Sequence, residues 1–310
     1  MANINVGVVG VGYLGSLHAR VYSQLKSANL VCVCDINKKR AKKVAKKLRV
    51  WYLPDYRTLF DKVDAVSIVV PTNLHYKIAK EFLENNIHVL IEKPITTTTD
   101  EAEELIRIAE AKNLIIQVGH IERFNPVVRA VEPYLTEPRF IECHRAGPYV
   151  KKKRVKDVGV VLDLMIHDID IILSLVKSEV KSIEAVGIST ISAFEDMANV
   201  RLRFKNSAIA DITASRITKD AVRKIIISQE DSHITLDYLH MDAQIVRKID
   251  GKISKERVKL EKREPLKLEL KSFISSIQNN VKPLVSGEEG KRALIVALAI
   301  LEKINSSKKG

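Results

Sequence analysis

Cysteine is scarce. The 310 residues hold Cys32, Cys34 and Cys143, too few for a disulfide framework. Cys32 and Cys34 fall in an apolar, strand-like stretch and read as core thiols, so a reducing, cytoplasmic setting is expected. No apolar run approaches the ~18 residues that span a bilayer, and the chain enters a strand at once, so no signal peptide is expected. The eight histidines include no HExxH or comparable ligand spacing, so no metal is expected; His18, His88, His144, His233 and His240 read as ordinary structural or surface residues. Aromatics make up 5% of the chain, and few of them interleave the lysines, which argues against nucleic acid as a partner. There is no internal repeat and no long flexible linker.

What is present is a chain long enough for about two domains of roughly 150 residues each, with 46% hydrophobic residues to build their cores. The net charge is +13 and the pI about 9.5. Such a surplus suits an acidic small-molecule partner, a nucleotide or a phosphorylated substrate. Much of it is spread along Lys38, Lys39, Lys42, Lys43, Lys46 and Lys47, a pattern that equally describes a solvated helix face.

Residues 4 to 120 alternate short apolar strands (4–10, 30–35, 65–70, 88–92, 114–118, with a further short one at 50–52) with helices (15–25, 38–48, 76–85, and one opened by a capping box of Thr98 and Glu101). Continuous apolar strands between amphipathic helices indicate a parallel sheet covered on both faces. Beyond about residue 125 the grammar changes. A helix over 162–176 is followed by stretches of period two (183–189, 198–204, 208–214, 223–228, 233–239), expected to form a mostly antiparallel open sheet, and the tail returns to helix over 266–278 and 290–304. The expected class is α/β: a doubly wound domain over 1–122 and a second α/β domain over 123–310.

Gly10-Val11-Gly12-Tyr13-Leu14-Gly15 follows the first strand and opens a helix. The first glycine permits the tight turn, the second admits a pyrophosphate to the backbone, and the third lets helix and strand pack. Asp35 lies 20 residues beyond Gly15, at the end of the second strand, where a carboxylate takes the ribose hydroxyls. A glycine-rich turn with an incidental aspartate is the competing reading. Asp35 would repel a 2′-phosphate, so NAD is the expected cofactor; Lys38, Lys39 and Arg40 follow closely and leave NADP open.

In an open α/β sheet ligands bind at the carboxyl ends of the strands. Here those ends read Pro71-Thr72-Asn73-Leu74-His75, Glu92-Lys93-Pro94 and Gly119-His120. Polar and titratable groups thus converge on one edge, and Pro94 restricts Lys93 to extended backbone. Further on, Asp163 and His167 stand four residues apart, with Asp170 a turn beyond. On a helix they share a face, and a carboxylate beside an imidazole orients it as a base. On spacing alone, an i,i+4 pair without chemistry fits as well.

Taken in order, the glycine fingerprint, Pro71-Thr72-Asn73 with His75, Glu92-Lys93-Pro94, Gly119 with Arg123-Phe124-Asn125-Pro126, and Asp163 with His167 resemble the Gfo/Idh/MocA oxidoreductases, over essentially the whole chain. The resemblance implies a Rossmann domain followed by an α/β domain with a large, mostly antiparallel sheet. It also implies NAD(P)-dependent oxidation of a sugar or cyclitol hydroxyl. Lys93 and His167 are then the proton-handling pair, with Asp163 beside them, and Thr72, Asn73, His75 and Glu92 line the dinucleotide pocket. It further implies a homodimer or homotetramer. Two positions depart from the family pattern: Met165 stands where glycine is frequent, so its bulk is expected to reshape the substrate pocket, and His120 stands where an aromatic is frequent.

The stretches 119–126 and 163–168 look most like the subgroup acting on the 3-hydroxyl of UDP-N-acetylglucosamine. For such an anionic nucleotide sugar, Arg123, Asn125, Arg145 and the run Lys151-Lys152-Lys153-Arg154 are the candidate phosphate ligands, the lysine run serving equally as surface charge. A dehydrogenase of a free sugar or inositol, an NAD-bound redox-neutral glycoside hydrolase and a non-catalytic NAD sensor are the competing functions.

Overall fold

The computed structural model describes residues 3–148, 158–261 and 263–307. The chain divides into two compact units, Met1–Ile121 with Arg263–Leu294, and Glu122–Lys262 with Ile295–Gly310. The second entry of the chain into the first unit differs from the expected division, which placed everything after residue 122 in the second domain.

In the first unit six strands, β1 (Ile4–Val9), β2 (Ala28–Cys34), β3 (Trp51–Leu53), β4 (Ala65–Ile68), β5 (His88–Glu92) and β6 (Ile116–Gly119), form one sheet in the order β3-β2-β1-β4-β5-β6. All five pairings are parallel. The order reverses between β1 and β4, the switch point at which doubly wound sheets bind ligands. Helices α1 (Tyr13–Tyr22), α2 (Lys38–Leu48), α3 (His75–Glu84) and α4 (Thr99–Ala111) connect the strands. The capping box exists as read: Glu101 N–H donates to Thr98 Oγ1 at 3.3 Å and Thr98 N–H to Glu101 Oε2 at 3.1 Å.

Helix α5 (Pro126–Val131) follows, then α6 (Ile166–Val176), α7 (Pro265–Asn279) and α8 (Gly287–Ser307). Helix α7 explains the division of the chain. Its apolar stripe, Leu266, Leu270, Phe273 and Ile274, is buried in one cluster with Val6, Val8, Tyr22 and Leu90 of the first unit. Each such buried side chain contributes about 1.5–3 kcal/mol relative to exposure, so the helix belongs to that core. Periodicity shows that a stripe exists but not which core receives it. Helix α8 starts in the first unit and finishes in the second.

In the second unit the sheet has eight strands: β7 (Phe140–Ala146), β8 (Val180–Ile188), β9 (Met197–Phe204), β10 (Ile209–Ser215), β11 (Val222–Ser228), β12 (Ser232–Asp237), β13 (Asp242–Ile249) and β14 (Lys252–Arg257). Their order is β14-β13-β12-β11-β7-β10-β9-β8. The β7–β10 pair is parallel and the other pairs are antiparallel. Alternation works as expected: in β9, Ala198, Val200, Leu202 and Phe204 are buried while Asn199, Arg201 and Arg203 are exposed. The outer face carries cross-strand ion pairs such as Arg201 with Asp211, bidentate at 2.7 Å. Among the described residues no helix is long and apolar enough to cross a membrane.

Candidate functional site

The glycine loop has three glycines with three different constraints. Gly10 has φ 85°, and a Cβ there would lie 2.3 Å from the Val69 carbonyl oxygen. At Gly15 a Cβ would lie 1.8 Å from the Gly10 carbonyl oxygen, which forces close packing of α1 on the loop. At Gly12 a Cβ would meet nothing within 4 Å. The protein itself places no demand on Gly12; open space over the backbone is what an approaching pyrophosphate needs. Gly12 is also the N-cap of α1 and offers no side-chain cap, so backbone donors and the helix dipole are presented at this end. Helix α1 begins two residues earlier than the sequence pattern suggests, inside the fingerprint. Tyr13 is 74% exposed at its first position, and Leu14 is half-buried.

Asp35 is buried directly after β2. Its Oδ2 accepts from the Val11 N–H at 3.0 Å, and its Oδ1 accepts from the Asn37 N–H at 2.8 Å. The carboxylate therefore braces the glycine loop as well as standing at the expected ribose position. Arg40, from the first turn of α2, reaches Asp35 Oδ2 at 3.2 Å, a pairing that five residues of separation do not by themselves specify. A dinucleotide fits these residues: an uncapped helix N-terminus over an open glycine for the phosphates, and a carboxylate for the ribose.

At the other strand ends, Thr72 and Asn73 lie in a 3₁₀ turn (Thr72–Leu74) after β4. His75, expected to line the pocket, is fully buried instead, with Nδ1 2.9 Å from the Pro94 carbonyl oxygen and Nε2 2.9 Å from that of Val70. Burial pushes its pKa down, so a neutral ring donates to one carbonyl at a time. It thus joins the segment that leads into the Thr72–Leu74 turn to the segment after Lys93. Lys93 is half-buried, and the Lys93–Pro94 bond is cis.

Glu92 also turns inward. Its Oε1 lies 3.2 Å from His18 Nε2, and its Oε2 accepts from the Lys93 N–H at 3.3 Å. A Cβ at Gly119 would come within 2.9 Å of that carboxyl group, so glycine at the end of β6 is what leaves it room. His18, read from sequence as an ordinary histidine, is fully buried against this carboxylate. Glu269 of α7 is buried in the same unit, and burial, reinforced by the charge of Glu92, pushes its carboxyl well above the usual carboxylate range. No local sequence signal marks either His18 or Glu269, because both are defined by partners distant in the chain.

In the second unit, Asp163 sits in a π-helical turn, Val161–Met165, and His167 in the first turn of α6. The expected continuous α-helix over 162–176 is thus replaced by a wider turn followed by a regular helix, a combination frequent at functional sites. Both side chains are half-buried. Met165, expected to reshape a substrate pocket, is fully buried, so its bulk belongs to the core.

Arg145, a candidate phosphate ligand by sequence, lies in a buried network of carboxylates. It projects from β7 into the buried side of its sheet, with Nε donating to Asp168 Oδ2 at 2.7 Å, Nη2 to Asp168 Oδ1 at 2.8 Å and Nη1 to Glu122 Oε1 at 3.0 Å. Burial works against its charge, but the two carboxylates outweigh it and keep Arg145 firmly protonated. Burial likewise opposes ionisation of Glu122, yet Arg145 and Asn125 hold it below the ordinary range. Arg145 is therefore held as a structural ion-pair partner of Asp168 and Glu122.

Arg123 is buried with Nη1 3.4 Å from Asp170 Oδ1. Asn125 caps α5, accepting from the Val127 N–H at 3.1 Å while donating to Glu122 Oε2 at 2.9 Å. Arg123 is thus paired with the buried Asp170, and Asn125 with Glu122, itself a partner of Arg145. The run Lys151-Lys152-Lys153-Arg154 lies outside the described residues.

Two family signatures match the chain: an oxidoreductase family with an NAD-binding Rossmann fold, Gfo/Idh/MocA, over residues 4–120, and the Gfo/Idh/MocA C-terminal domain over residues 128–234. UDP-N-acetylglucosamine 3-dehydrogenase of Acidithiobacillus ferrooxidans is 35% identical over 308 residues, covering 97% of each chain. The solved structure of that enzyme matches at a TM-score of 0.93 and 33% identity, covering 99% of both chains. The scyllo-inositol 2-dehydrogenase (NAD(+)) of Bacillus subtilis is 28% identical over 323 residues, covering 96% of this chain and 92% of its own. A levoglucosan dehydrogenase solved with NADH and levoglucosan has the same fold, with a TM-score of 0.89 at 19% identity over 98% of both chains.

Proposed function

Because the chain belongs to the Gfo/Idh/MocA oxidoreductase family, we propose that this NAD-dependent dehydrogenase oxidises the 3-hydroxyl of UDP-N-acetylglucosamine to the 3-ketone. The observation that carries the substrate is the end-to-end likeness to the Acidithiobacillus enzyme, at 35% identity over 97% of each chain. The inositol dehydrogenase likeness is weaker, at 28%.

Gly10, Gly12, Tyr13, Leu14, Gly15 and Asp35 hold the dinucleotide, with Thr72 and Asn73 at the next strand end. Bound there, NAD supplies the hydride acceptor. His167 takes the hydroxyl proton, and the Lys93 ammonium group stabilises the developing alkoxide by charge and hydrogen bonding. Asp163 orients the imidazole. Glu92 and His75 act behind Lys93, fixing the backbone on both sides of it. A homodimer or homotetramer in a cytoplasmic setting completes the reading. It is supported by Val186 and Ile188, which stand 53% and 50% exposed on β8, and by three free thiols. A solution mass of 34.9 kDa would overturn the oligomer.

The test is NADH absorbance with purified protein, NAD and a panel of UDP-sugars beside free sugars and inositols. Signal confined to UDP-N-acetylglucosamine is expected. Signal confined to free polyols would discard the nucleotide-sugar assignment and keep the dehydrogenase. Near-wild-type turnover in folded Lys93→Ala and His167→Ala would sink the proton-handling roles.

A further inference from the structure

The turn that carries Asp163 is held by a carboxylate from a distant segment. Glu195 is 7% exposed, and its Oε1 accepts from the Val161 N–H at 3.2 Å while its backbone carbonyl accepts from the Val160 N–H at 3.0 Å. Two donors at the start of the π-helical turn are thus satisfied by one residue, and the negative charge sits at the end of the helical segment that favours it. The Glu195 carboxyl occupies the space where Gly159 has no side chain: a Cβ on Gly159 would lie 1.9 Å from Oε1 and 2.0 Å from Cδ. Gly159 in turn accepts from the Asp163 N–H at 3.1 Å. The carboxylate, the glycine and the Asp163 backbone therefore form one interlocked step.

The segment bearing Glu195 is itself braced. Asp196 is fully buried and accepts from the N–H groups of Thr190 at 2.8 Å, Ile191 at 2.7 Å and Ser192 at 3.0 Å. Arg216 donates through Nε to Asp196 Oδ1 at 2.9 Å and through Nη1 to the Val158 carbonyl oxygen at 3.0 Å. One arginine thus joins the loop before β9 to the residue that precedes Gly159. Burial of this much hydrogen bonding around eight residues of loop exceeds what connecting β8 to β9 requires, since a hairpin of two to five residues would serve.

We propose that Glu195 is a positioning residue for the reaction: with Gly159 it sets where the π-helical turn begins, and through that turn the placement of Asp163 and His167. This rests on the proton-handling role given to His167 above. A displacement of about 1 Å in a proton-handling group costs on the order of 10²-fold in rate, which is the size of effect at stake.

The experiment compares Glu195→Ala, Glu195→Gln, Gly159→Ala and the Gly159→Ala/Glu195→Ala double variant. Each is measured for kcat, for KM with NAD, and for the His167 ring resonances by NMR without substrate. Glu195→Ala is expected to lower kcat by about 10²-fold, to leave KM for NAD unchanged, and to shift the His167 resonances. Glu195→Gln retains an acceptor oxygen and should restore most of both. Gly159→Ala should reproduce the Glu195→Ala effect, and the double variant should be no worse than either single one, since the methyl group then fills the space the carboxyl left.

Unshifted His167 resonances and wild-type kcat per folded molecule in Glu195→Ala would overturn the proposal, even if thermal stability drops. Additive losses in the double variant would overturn the shared step. If the wild type turns over no UDP-sugar, the substrate assignment fails while the resonance shifts still decide the positioning. If Glu195→Ala does not fold, the Gly159→Ala resonances carry the same decision.

Discussion

Arg145 and Asp168 form a buried bidentate ion pair, Nε to Oδ2 at 2.7 Å and Nη2 to Oδ1 at 2.8 Å, that fastens the first turn of α6 to strand β7. Asp168 is the neighbour of His167, so this pair fixes the backbone from which the imidazole projects. Desolvation makes such a pair weak as a net source of stability, yet removing one partner leaves the other buried and unmatched.

Arg145→Met is accordingly expected to destabilise the protein by about 3–5 kcal/mol, since Asp168 and Glu122 would both lose their cation. Arg145→Lys keeps the charge but cannot reproduce the two-pronged contact with Asp168 while also reaching Glu122. It should fall between the wild type and Arg145→Met. Urea unfolding followed by circular dichroism ranks the three proteins, and equal midpoints would show the network to be dispensable.

The three glycines of the fingerprint separate folding from binding. Gly12→Ala adds a methyl group that meets no protein atom within 4 Å, so stability should stay within about 0.5 kcal/mol of wild type. The methyl would stand where the pyrophosphate approaches, and NAD affinity should drop by at least about tenfold, a loss of about 1.4 kcal/mol. Gly15→Ala would place its Cβ 1.8 Å from the Gly10 carbonyl oxygen and should unfold or severely destabilise the first unit. Melting temperature and calorimetric NAD titration, measured together, distinguish the two. Unchanged NAD binding in Gly12→Ala would place the phosphates elsewhere.

Glu269 makes stability depend on pH. Its carboxyl is pushed well above the usual range in the folded state, first by burial and then by the charge of Glu92. The folded protein therefore keeps a proton that the unfolded chain releases near its ordinary pKa of about 4.3. Between those two values the folded state binds more protons, so stability falls as pH rises, by up to about 1.4 kcal/mol per pH unit. Glu269→Gln mimics the protonated carboxyl and lacks this dependence. Its melting temperature should match that of wild type near pH 4 and exceed it increasingly toward pH 8. A constant difference across that range would mean that Glu269 is ionised in the fold.

Much of the first unit could be read from the sequence because its determinants are local. The glycine fingerprint, the capping box at Thr98, and the strands ending at Asp35 and Glu92 each depend on residues a few positions apart. The second unit was harder. Strands β13 and β14 are polar enough to hide their period, although Asp250-Gly251, with φ 49° and 79°, is the dipeptide expected of a tight hairpin turn between them. Charge type alone does not show a residue's partners. Arg145 could be seen in the sequence as a cation, but its carboxylate partners at 122 and 168 became visible only when β7 and α6 came together. His75 and Glu92 were placed at the correct strand ends, yet the direction in which each side chain turns is set by Pro94, His18 and Gly119, which no local pattern specifies.

Arg40 offers a last consequence, concerning which dinucleotide is used. Asp35 already accepts from the Val11 and Asn37 N–H groups, and a carboxylate has about four lone-pair directions. Arg40 occupies a third at 3.2 Å and is half exposed, which makes it the contact most easily exchanged. With NAD, a ribose hydroxyl takes the remaining direction and Arg40 is of little consequence. With NADP, the 2′-phosphate meets the negative charge of Asp35, and Arg40 is the cation in reach to offset it. Arg40→Ala should therefore leave kcat/KM for NAD within about twofold and reduce that for NADP by about tenfold, the scale of one charge-assisted hydrogen bond. Asp35→Ser should act in the opposite sense on the ratio, weakening NAD and improving NADP, at some loss of stability because the Val11 N–H loses its carboxylate acceptor. Steady-state kinetics with both cofactors in both variants decides the matter. Equal losses for the two cofactors in Arg40→Ala would show that the arginine serves only to hold Asp35.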